Sequence, residues 1–287
     1  MRALVAVTFA VAVVAVPRAA QDPEVAALLN AGNEYLTSYA RRASGVSMDE
    51  TYTISEVSSG RMSVPLRLFS EIVLVNVNGR LHPLRDLTAV SGAKVKEGGG
   101  RIVPLLASPT QAGWQQAQQY AAAIFQYYPE LLAQMNDPLL ALHLIQPAQH
   151  GKFTYRVDGK KKVNNVAVVG LRFEETRGEL TKYIMSTRGN GYLTGRLWMD
   201  PATGTVHQSE IWLESRVETA RSNVTYAFHK DLDLWLPSKT SENYDQRPTP
   251  EGMINRGEGG YVARQSFEVN STYAKPRHTP IDLTKMR

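Results

Sequence analysis

The chain has 287 residues, 43% of them hydrophobic, and it contains no cysteine. Without cysteine there are no disulfides, no thiolate catalysis, no cysteine-bearing zinc site and no acylated cysteine anchor. The formal net charge is only +5, and the densest basic run, residues 159–162, lies in a predicted hairpin turn. A nucleic-acid-binding protein would instead concentrate lysine and arginine on one face, so this class is excluded.

The N-terminus predicts export. The first sixteen residues, MRALVAVTFAVAVVAV, carry one arginine ahead of an apolar run that stops at Pro17. This run is shorter than the ~20 residues that span a bilayer, so we assign residues 1–20 as a signal peptide, cleaved near Gln21. The protein is then expected in the periplasm or outside the cell. No second apolar run approaches a bilayer span, so residues 21–287 are expected to form a single domain without a stable membrane span.

Three stretches have helical patterns. From Asp22 to Ala43 apolar residues recur at near-helical spacing, with Asp22 as N-cap and Pro23 at the first position. A helical insertion is predicted at about 110–145, with one helix from Thr110 to Tyr128 and a second, apolar on nearly every side and therefore buried, from Asp137 to Ile145. Residues 92–109 connect the early strands to this insertion. They contain three consecutive glycines and predict a mobile loop.

Most of the remaining chain alternates apolar and polar residues as half-buried strands do. Early strands are predicted at 49–57 and 66–77, the latter closing with an Asn-Gly turn. After residue 152 eight strands are predicted, at 153–157, 166–175, 180–187, 191–200, 204–215, 220–229, 234–244 and 261–273. The predicted fold class is α+β: a curved antiparallel half-barrel, an up-and-down meander wrapped around the first helix and the insertion, which cover its apolar face.

Residues 195–212, GRLWMDPATGTVHQSEIW, form the clearest hairpin. Pro201 fixes φ for a turn, Asp200 can accept backbone hydrogen bonds before it, and Gly204 supplies a positive φ. Because an aspartate before proline is typical of turns, we interpret Asp200 as structural and not catalytic. The hairpin is therefore expected to form the wall of a binding cavity and not the rim of a catalytic pocket.

Six apolar residues are candidates for lining a ligand cavity. Two lie in the insertion and four on the face of the hairpin that we assign to the interior: Leu139, Leu142, Leu197, Met199, Ile211 and Leu213. On the same interpretation His207 shares a face with Ile211 and Leu213, opposite Val206. An alternative stays open, because protein interiors are normally packed without voids and the six residues can equally be ordinary core.

No catalytic, metal-binding or cofactor-binding motif is present. The six histidines are scattered, with no pair at the spacing that places two imidazoles on one helical face. The nucleophile elbow, the phosphate-binding loop and the dinucleotide fingerprint are absent. Glu174 and Glu175 are neighbours in a strand, point to opposite faces, and are interpreted as surface charges. We therefore predict a non-enzymatic protein without a cofactor.

The DPATG hairpin, the stretch LWLP at 234–237 and the final stretch YVARQSFEVNSTY resemble a group of uncharacterised secreted bacterial proteins with a W-x-D-P-x-T-G-x-V hairpin. More remotely, the predicted architecture and this hairpin are similar to the LolA and LolB lipoprotein-carrier superfamily. That resemblance implies a half-barrel around helices, an apolar cavity for a lipid, an acyl chain or a lipoprotein, and no cofactor. It also implies an arginine that restrains the helical lid, but no stretch here matches that motif.

Two functions follow as expectations, with a third less favoured. The first is an exported, soluble protein that binds or carries a lipid or acylated partner in an apolar cavity. The second is a structural or assembly module of the envelope, with a filled core and a protein-binding surface on residues 92–109. The third is a hydrolase that gathers carboxylates from several strands. The sequence leaves the ligand, the partner and the oligomeric state open.

Overall fold

A computed structural model describes residues 22–58, 61–96, 98–107, 110–128, 135–176, 191–215, 218–247, 265–279 and 281. The predicted signal peptide, the predicted strand at 180–187 and the first part of the predicted strand at 261–273 lie outside these residues.

The described helices are α1 (Pro23–Arg42), α2 (Ile102–Ala107), α3 (Gln111–Ala122) and α4 (Leu140–His143), with 3₁₀ turns at Ala123–Tyr127 and Pro147–Gln149. The strands are β1 (Val46–Ser58), β2 (Arg61–Met62), β3 (Leu66–Val77), β4 (Arg80–Val90), β5 (Ala93–Lys94), β6 (Phe153–Val163), β7 (Val166–Glu175), β8 (Tyr192–Met199), β9 (Val206–Glu214), β10 (Glu218–His229), β11 (Leu234–Gln246) and β12 (Gln265–His278).

These twelve strands form one antiparallel sheet in the order β5-β4-β3-β1-β12-β11-β10-β9-β8-β7-β6, with β2 paired to β1. From β6 to β12 each strand pairs with the next, which confirms the predicted up-and-down meander and the curved half-barrel. Strand β7 pairs directly with β8. The first and last of the described strands also pair, from Val46 opposite His278 to Val57 opposite Ser266.

Helix α1 begins as its sequence predicts. The Asp22 side chain accepts a hydrogen bond from the Glu24 amide (2.9 Å) and Pro23 occupies the first turn. One face of α1 is buried in the main core, the large apolar cluster inside the curve of the sheet. Its members include Val25, Leu28 and Leu29 of α1, Met48 and Tyr52 of β1, Ile72 and Leu74 of β3, Leu139 to Leu142, and Leu197 and Met199 of β8.

A second cluster, the outer core, lies on the opposite face of β3 and β4. It consists of Val73, Val75, Leu84, Ile102, Leu106 and Ala117. Successive residues of a strand point to opposite faces, and Ile72 and Leu74 belong to the main core while Val73 and Val75 belong to the outer core. Helices α2 and α3 therefore cover the convex side of the sheet.

This placement corrects the expectation that the whole of residues 110–145 covers the inner face. Helix α3, capped by Thr110 (3.0 Å to the Gly113 amide), lies outside, and the chain contacts the main core from Ile124 to Tyr128. Apolar periodicity shows that a helix has a buried face. It does not show which side of a sheet that face covers.

The second helix of the insertion is shorter than predicted, since α4 spans four residues instead of the stretch from Asp137 to Ile145. The backbone amides of Leu140, Leu142 and Leu144 donate to carbonyls three residues earlier, which makes tight turns instead of a continuous α-helix. The predicted burial is confirmed, because every residue from Leu139 to Ile145 is at most 4% exposed.

The predicted mobile loop at residues 92–109 contains β5 and α2. The Asp86 carboxylate accepts from the backbone amides of Arg101 (2.6 Å) and Ile102 (3.3 Å) and from the Arg101 guanidinium (2.6 and 2.9 Å). The loop prediction is therefore wrong for much of this stretch. The three glycines suggested mobility, but Asp86, which lies outside this stretch, binds its backbone at Arg101 and Ile102.

Candidate ligand-binding site on the concave face

Residues 135–149, here called the inner segment, lie against the concave face of the sheet. The apolar side chains of Met135 and of Leu139 to Ile145 belong to the main core, with Leu139 and Leu142 at 0% and 3% exposure. A four-residue helix satisfies few backbone groups, and buried backbone groups need partners. Side chains of the sheet supply several of them: the hydroxyl of Tyr226 donates to the Pro138 carbonyl (2.8 Å), that of Tyr155 donates to the Leu144 carbonyl (2.7 Å), that of Tyr244 accepts from the Met135 amide (3.0 Å), and Arg85 donates to the Asn136 carbonyl.

His143 also holds the inner segment. Its Nε2 lies 3.0 Å from the carbonyl of Leu81 on β4. Because a carbonyl only accepts, Nε2 carries the proton of a neutral imidazole. Burial, with a smaller effect of Arg80, lowers the pKa of His143 to about 3. The histidine is a structural contact of the segment.

A band of polar side chains crosses the concave face beneath the start of the inner segment. The inner polar band comprises Glu50, Tyr52, Ser70, Arg85, Thr240, Glu242, Ser271 and Tyr273, on five adjacent strands, and each is at most 8% exposed. The strand register places them on one face: Glu50 lies opposite Ser70 and Tyr273. An apolar face would be expected in this position, so the band is the most unusual feature of the interior.

Glu50 and Arg85 form a buried ion pair inside the band. Arg85 donates through Nε and Nη2 to the two Glu50 oxygens at 2.7 and 3.0 Å, and the side chains are 6% (Arg85) and 0% (Glu50) exposed. Burial opposes the charge of Arg85, but the neighbouring Glu50 outweighs it and raises the pKa of Arg85. The two-pronged geometry offsets the desolvation that makes isolated buried charges costly.

Glu242 is the second carboxylate of the band. Its Oε2 accepts from the hydroxyls of Tyr244 (2.6 Å) and Tyr52 (3.5 Å), while Oε1 has no hydrogen-bond partner among the described residues. Burial raises the pKa of Glu242 to about 7, against the opposing effects of the Tyr244 hydrogen bond and the Arg85 charge. The carboxyl of Glu242 therefore takes up a proton near neutral pH, far above the pH at which an exposed glutamate does.

The structure brings the six predicted cavity residues together in the main core. Leu139, Leu197 and Met199 are 0% exposed, and the remaining three, Leu142, Ile211 and Leu213, are 3–4% exposed. A cavity beside Leu139 and Leu142, also lined by Leu36, Tyr39 and Leu81, has a volume of about 10 Å³, roughly the room of one water molecule. Their role in lining a ligand cavity stays a prediction.

The inner polar band was missed by sequence reasoning, although a signal for it exists. Glu50 lies between Met48 and Tyr52 in the same alternation, and Glu242 lies two residues before Tyr244. A charged residue at an apolar position of a strand marks a buried charge. Recognising the band also needs the pairing of β12 with β1, which the order of elements does not reveal.

The Asp-Pro-x-Thr-Gly hairpin is structural, as its turn chemistry predicts. Asp200 accepts from the Ala202 amide (2.9 Å) and the Thr203 hydroxyl (2.8 Å). Gly204 has φ +70°, and a Cβ there would lie 2.1 Å from the Ala31 carbonyl oxygen. The hairpin therefore packs directly on α1, a contact that only glycine allows.

One residue assignment in this hairpin is corrected. A bulge next to Met199 places Val206 opposite Met199 and in the main core. Val206 was predicted to lie on the face opposite Ile211, whereas His207 is buried and packs on Trp235 with ring centroids 4.2 Å apart. A bulge inserts one residue and reverses the alternation beyond it, which periodicity alone does not show.

The interpretation of Glu175 as a surface charge is also wrong. It is 4% exposed and its Oε2 accepts from the Leu193 amide at 3.1 Å. Glu174 is half-buried and pairs with Arg172 at 2.8 Å. Within the described ranges no group of three or more His, Asp or Glu side chains is placed to hold a metal ion. None of the described helices is long and apolar enough to cross a membrane.

Comparison with known proteins yields remote similarities only. No family model and no curated protein matches the sequence. Among solved structures, the chain is similar to a domain from Vibrio parahaemolyticus described as outer membrane lipoprotein-sorting (13% identity, TM-score 0.36, covering 90% of this chain and 95% of that one). It is also similar to a DUF1329 family protein from Desulfovibrio piger (11%, 0.36, 89% and 94%) and to a LolA superfamily protein from Nitrosomonas europaea (12%, 0.30, 87% and 92%). Values this low support no inference about the function of this chain.

Proposed function

We propose that the protein is an exported, soluble, non-enzymatic protein that binds or carries a lipid, an acyl chain or an acylated protein on the concave face of its sheet. The observation that carries this proposal is the inner segment: an apolar stretch with little helix of its own, bonded to the sheet through side chains. Its withdrawal would uncover an apolar trough lined by Leu197, Met199, Ile211 and Leu213. The sequence pattern of residues 1–16 supports export.

Binding requires the inner segment to move, because the cavity beside it measures about 10 Å³ and a ligand pocket needs roughly 300 Å³ or more. An acyl chain can compensate for that movement. Burial stabilises by about 0.8 kcal/mol per methylene, so a chain of about a dozen methylenes contributes about 10 kcal/mol. The ligand would thus replace the apolar contacts that the segment makes with the sheet.

The first test is chemical. The purified protein is extracted with organic solvent, the extract is analysed for lipid by mass spectrometry, and the stripped protein is titrated with a fluorescent fatty acid. The proposal predicts saturable binding of one or a few acyl chains per protein. Absence of both co-purified lipid and fatty-acid binding contradicts it.

A pair of leucine variants tests the place of binding. Leu142→Ala weakens the packing of the inner segment, and Leu106→Ala creates an equivalent void in the outer core, where Leu106 is 0% exposed. Each should destabilise the protein by about 2–5 kcal/mol. Only Leu142→Ala should tighten fatty-acid binding, because it lowers the free energy needed to displace the segment. Equal effects of the two variants on binding would count against the concave face.

A second function is favoured by the small size of the cavity beside Leu139 and Leu142. A filled interior suits an envelope structural or assembly module with a protein-binding surface near β5. Arg101 is tied to Asp86, so the exposed Lys94 and Lys96 are better probes of that surface. Replacing both by glutamate should abolish crosslinks to a protein partner in cells, whereas Lys230→Glu, exposed on the β10–β11 turn, should not. Unchanged crosslinking in the double variant contradicts this alternative.

A further inference from the structure

Beneath the inner segment, the carboxylate of Glu242 has no positively charged side chain paired with it among the described residues. Arg85 is engaged by both Glu50 oxygens and by the Asn136 carbonyl. Asp137 is the other carboxylate nearby, and it has its own partners: the Leu139 amide at 2.8 Å and the positive charges of Arg85 and Arg80. Glu242 has two hydroxyl donors on one oxygen and, within the described part of the chain, no ion pair with a cation.

Aromatic rings surround this carboxylate. Tyr52 and Tyr244 donate to it, and Tyr128 and Tyr273 lie close enough to interact with it electrostatically. Tyr52 and Tyr128 stack with centroids 5.6 Å apart. A carboxylate with several tyrosines around it suits an ammonium group, since the carboxylate neutralises the positive charge and aromatic side chains attract cations.

Unsatisfied oxygen atoms line the same band. Among the described residues, Glu242 Oε1, Ser70 Oγ and Ser271 Oγ are buried and lack a hydrogen-bond partner. Buried acceptors without donors are costly and uncommon. Glu242 Oε1 on β11 and Ser271 Oγ on the adjacent strand β12 face the concave side together and suit a ligand that brings several donors, whereas Ser70 on β3 lies three strand spacings from β11. An ammonium group brings up to three N–H donors and no acceptor.

We propose that the inner polar band is the head-group subsite of the ligand site and takes an ammonium head group, with Glu242 as counter-ion and Ser271 as a further acceptor. This inference rests on the proposed function. An anionic head group without an amine would be repelled by the negative charge of Glu242. It would also find no free cation in the band, because Arg85 is already bonded to Glu50 and to the Asn136 carbonyl. The fitting ligand is an amphiphile with a protonated amine, of the ethanolamine-phospholipid type.

The position of the band fits such a ligand. The start of the inner segment covers it, through the contacts of Met135 with Tyr244 and of Asn136 with Arg85. Withdrawal of the segment would therefore uncover the polar band and the apolar trough together. The trough residues lie on β8 and β9, and β8 is three strand spacings, roughly 14 Å, from β11. The acyl chain would extend from the band toward β8.

The test compares two lysolipids with the same lauroyl chain by isothermal titration calorimetry at pH 8, above the pKa of about 7 to which burial raises Glu242, so that its carboxyl is ionised. Lauroyl lysophosphatidylethanolamine carries the ammonium group, and lauroyl lysophosphatidylglycerol replaces it with a hydroxyl-bearing head. We expect at least about tenfold tighter binding of the ethanolamine lipid. Equal binding overturns the head-group inference and leaves the proposed acyl-binding function standing. Failure of both lipids to bind overturns the proposed function and this inference with it.

The variant Glu242→Gln tests whether Glu242 is the residue that causes the preference for the ethanolamine lipid. It should remove the preference by weakening the ethanolamine lipid about tenfold while leaving the glycerol lipid unchanged. Glu175→Gln is the matched control, since Glu175 is equally buried but bonded to the Leu193 amide on the distant β7–β8 pair. A preference retained in Glu242→Gln contradicts the assignment. If Glu242→Gln does not fold, the comparison of the two lipids on the wild-type protein still decides the inference.

Discussion

Glu242 couples the stability of the fold to pH, because burial raises the pKa of its carboxyl to about 7 from the ordinary value of 4.5. Between these two values the folded protein holds a proton that the unfolded chain has released. The stability that this proton contributes is fully present below pH 4.5 and is lost as the pH rises through 7. Ionised Glu242 thus costs up to about 3 kcal/mol, at one pKa unit per 1.4 kcal/mol.

Denaturant unfolding of the wild type and Glu242→Gln at pH 5 and pH 8 measures this cost. Glutamine does not titrate, so the free energy of unfolding of the variant relative to wild type should rise by about 2 kcal/mol between the two pH values. Burial lowers the pKa values of His82 and His143 to about 4 and about 3. The stability that these neutral histidines contribute to the fold changes in the opposite direction, since it is lost as the pH falls below 6.5. They are common to both proteins and cancel. A difference independent of pH would contradict the buried carboxylate.

Gly204 offers a second test at the scale of one residue. Gly204→Ala combines a positive φ with a clash 2.1 Å from the Ala31 carbonyl, whereas Gly79→Ala has a positive φ of 81° and no atom within 4 Å of its Cβ. We expect Gly79→Ala to cost about 1 kcal/mol from backbone strain and Gly204→Ala clearly more. Thermal unfolding measures both. Equal losses would show that the hairpin does not pack on α1.

The sequence predicts residue roles where they depend on local chemistry. The caps at Asp22 and Thr110 and the turn at Asp200 follow from one residue and its next few neighbours. The contact of Gly204 with α1 and the burial of Glu242 depend on residues more than a hundred positions away, and no local pattern contains that information.

At the scale of elements, the inner segment should be the part of the interior that opens most easily. Tyr226→Phe removes the hydroxyl that donates to the Pro138 carbonyl and leaves a buried acceptor, at about 1–3 kcal/mol. Hydrogen exchange measured by mass spectrometry should then accelerate in residues 135–149 but not in α1. Tyr39→Phe is the control, because the Tyr39 hydroxyl is buried and has no partner among the described residues. Equal acceleration in both variants would contradict the attachment of the segment through Tyr226.

Elements with a strong period were predictable, and those defined by their surroundings were not. Helix α1 and the strands from β7 to β11 follow from alternation or helical spacing, apart from the bulge at His207. Strand β6 was predicted too short, since it runs to Val163 and includes residues 159–162, which were wrongly predicted to lie in a hairpin turn. Helix α4 is four residues long because side chains of the sheet satisfy the backbone of the inner segment in place of helical bonds. Helices α2 and α3 lie on the convex side because β3 and β4 are apolar on both faces.

At the scale of the molecule, the pairing of β12 with β1 organises the candidate site. It joins the meander of β6 to β12 to the strands β1, β3 and β4, so that Glu50, Arg85 and Glu242 meet on one concave face. Alternation predicted a curved sheet around helices, since one face of each strand needed cover. It did not predict this pairing, because the strands concerned are separated by almost the whole chain.

The central claim is that a ligand displaces the inner segment from the concave face. The chain has no cysteine, so nitroxide labels can be attached uniquely at Ala148→Cys and Asn223→Cys, both exposed, and the distance between them measured by double electron–electron resonance. Adding lauroyl lysophosphatidylethanolamine should shift this distance to longer values, while a reference pair on the sheet, Lys94→Cys with Asn223→Cys, should not change. Saturating lipid with an unchanged distance at Ala148 would contradict the claim.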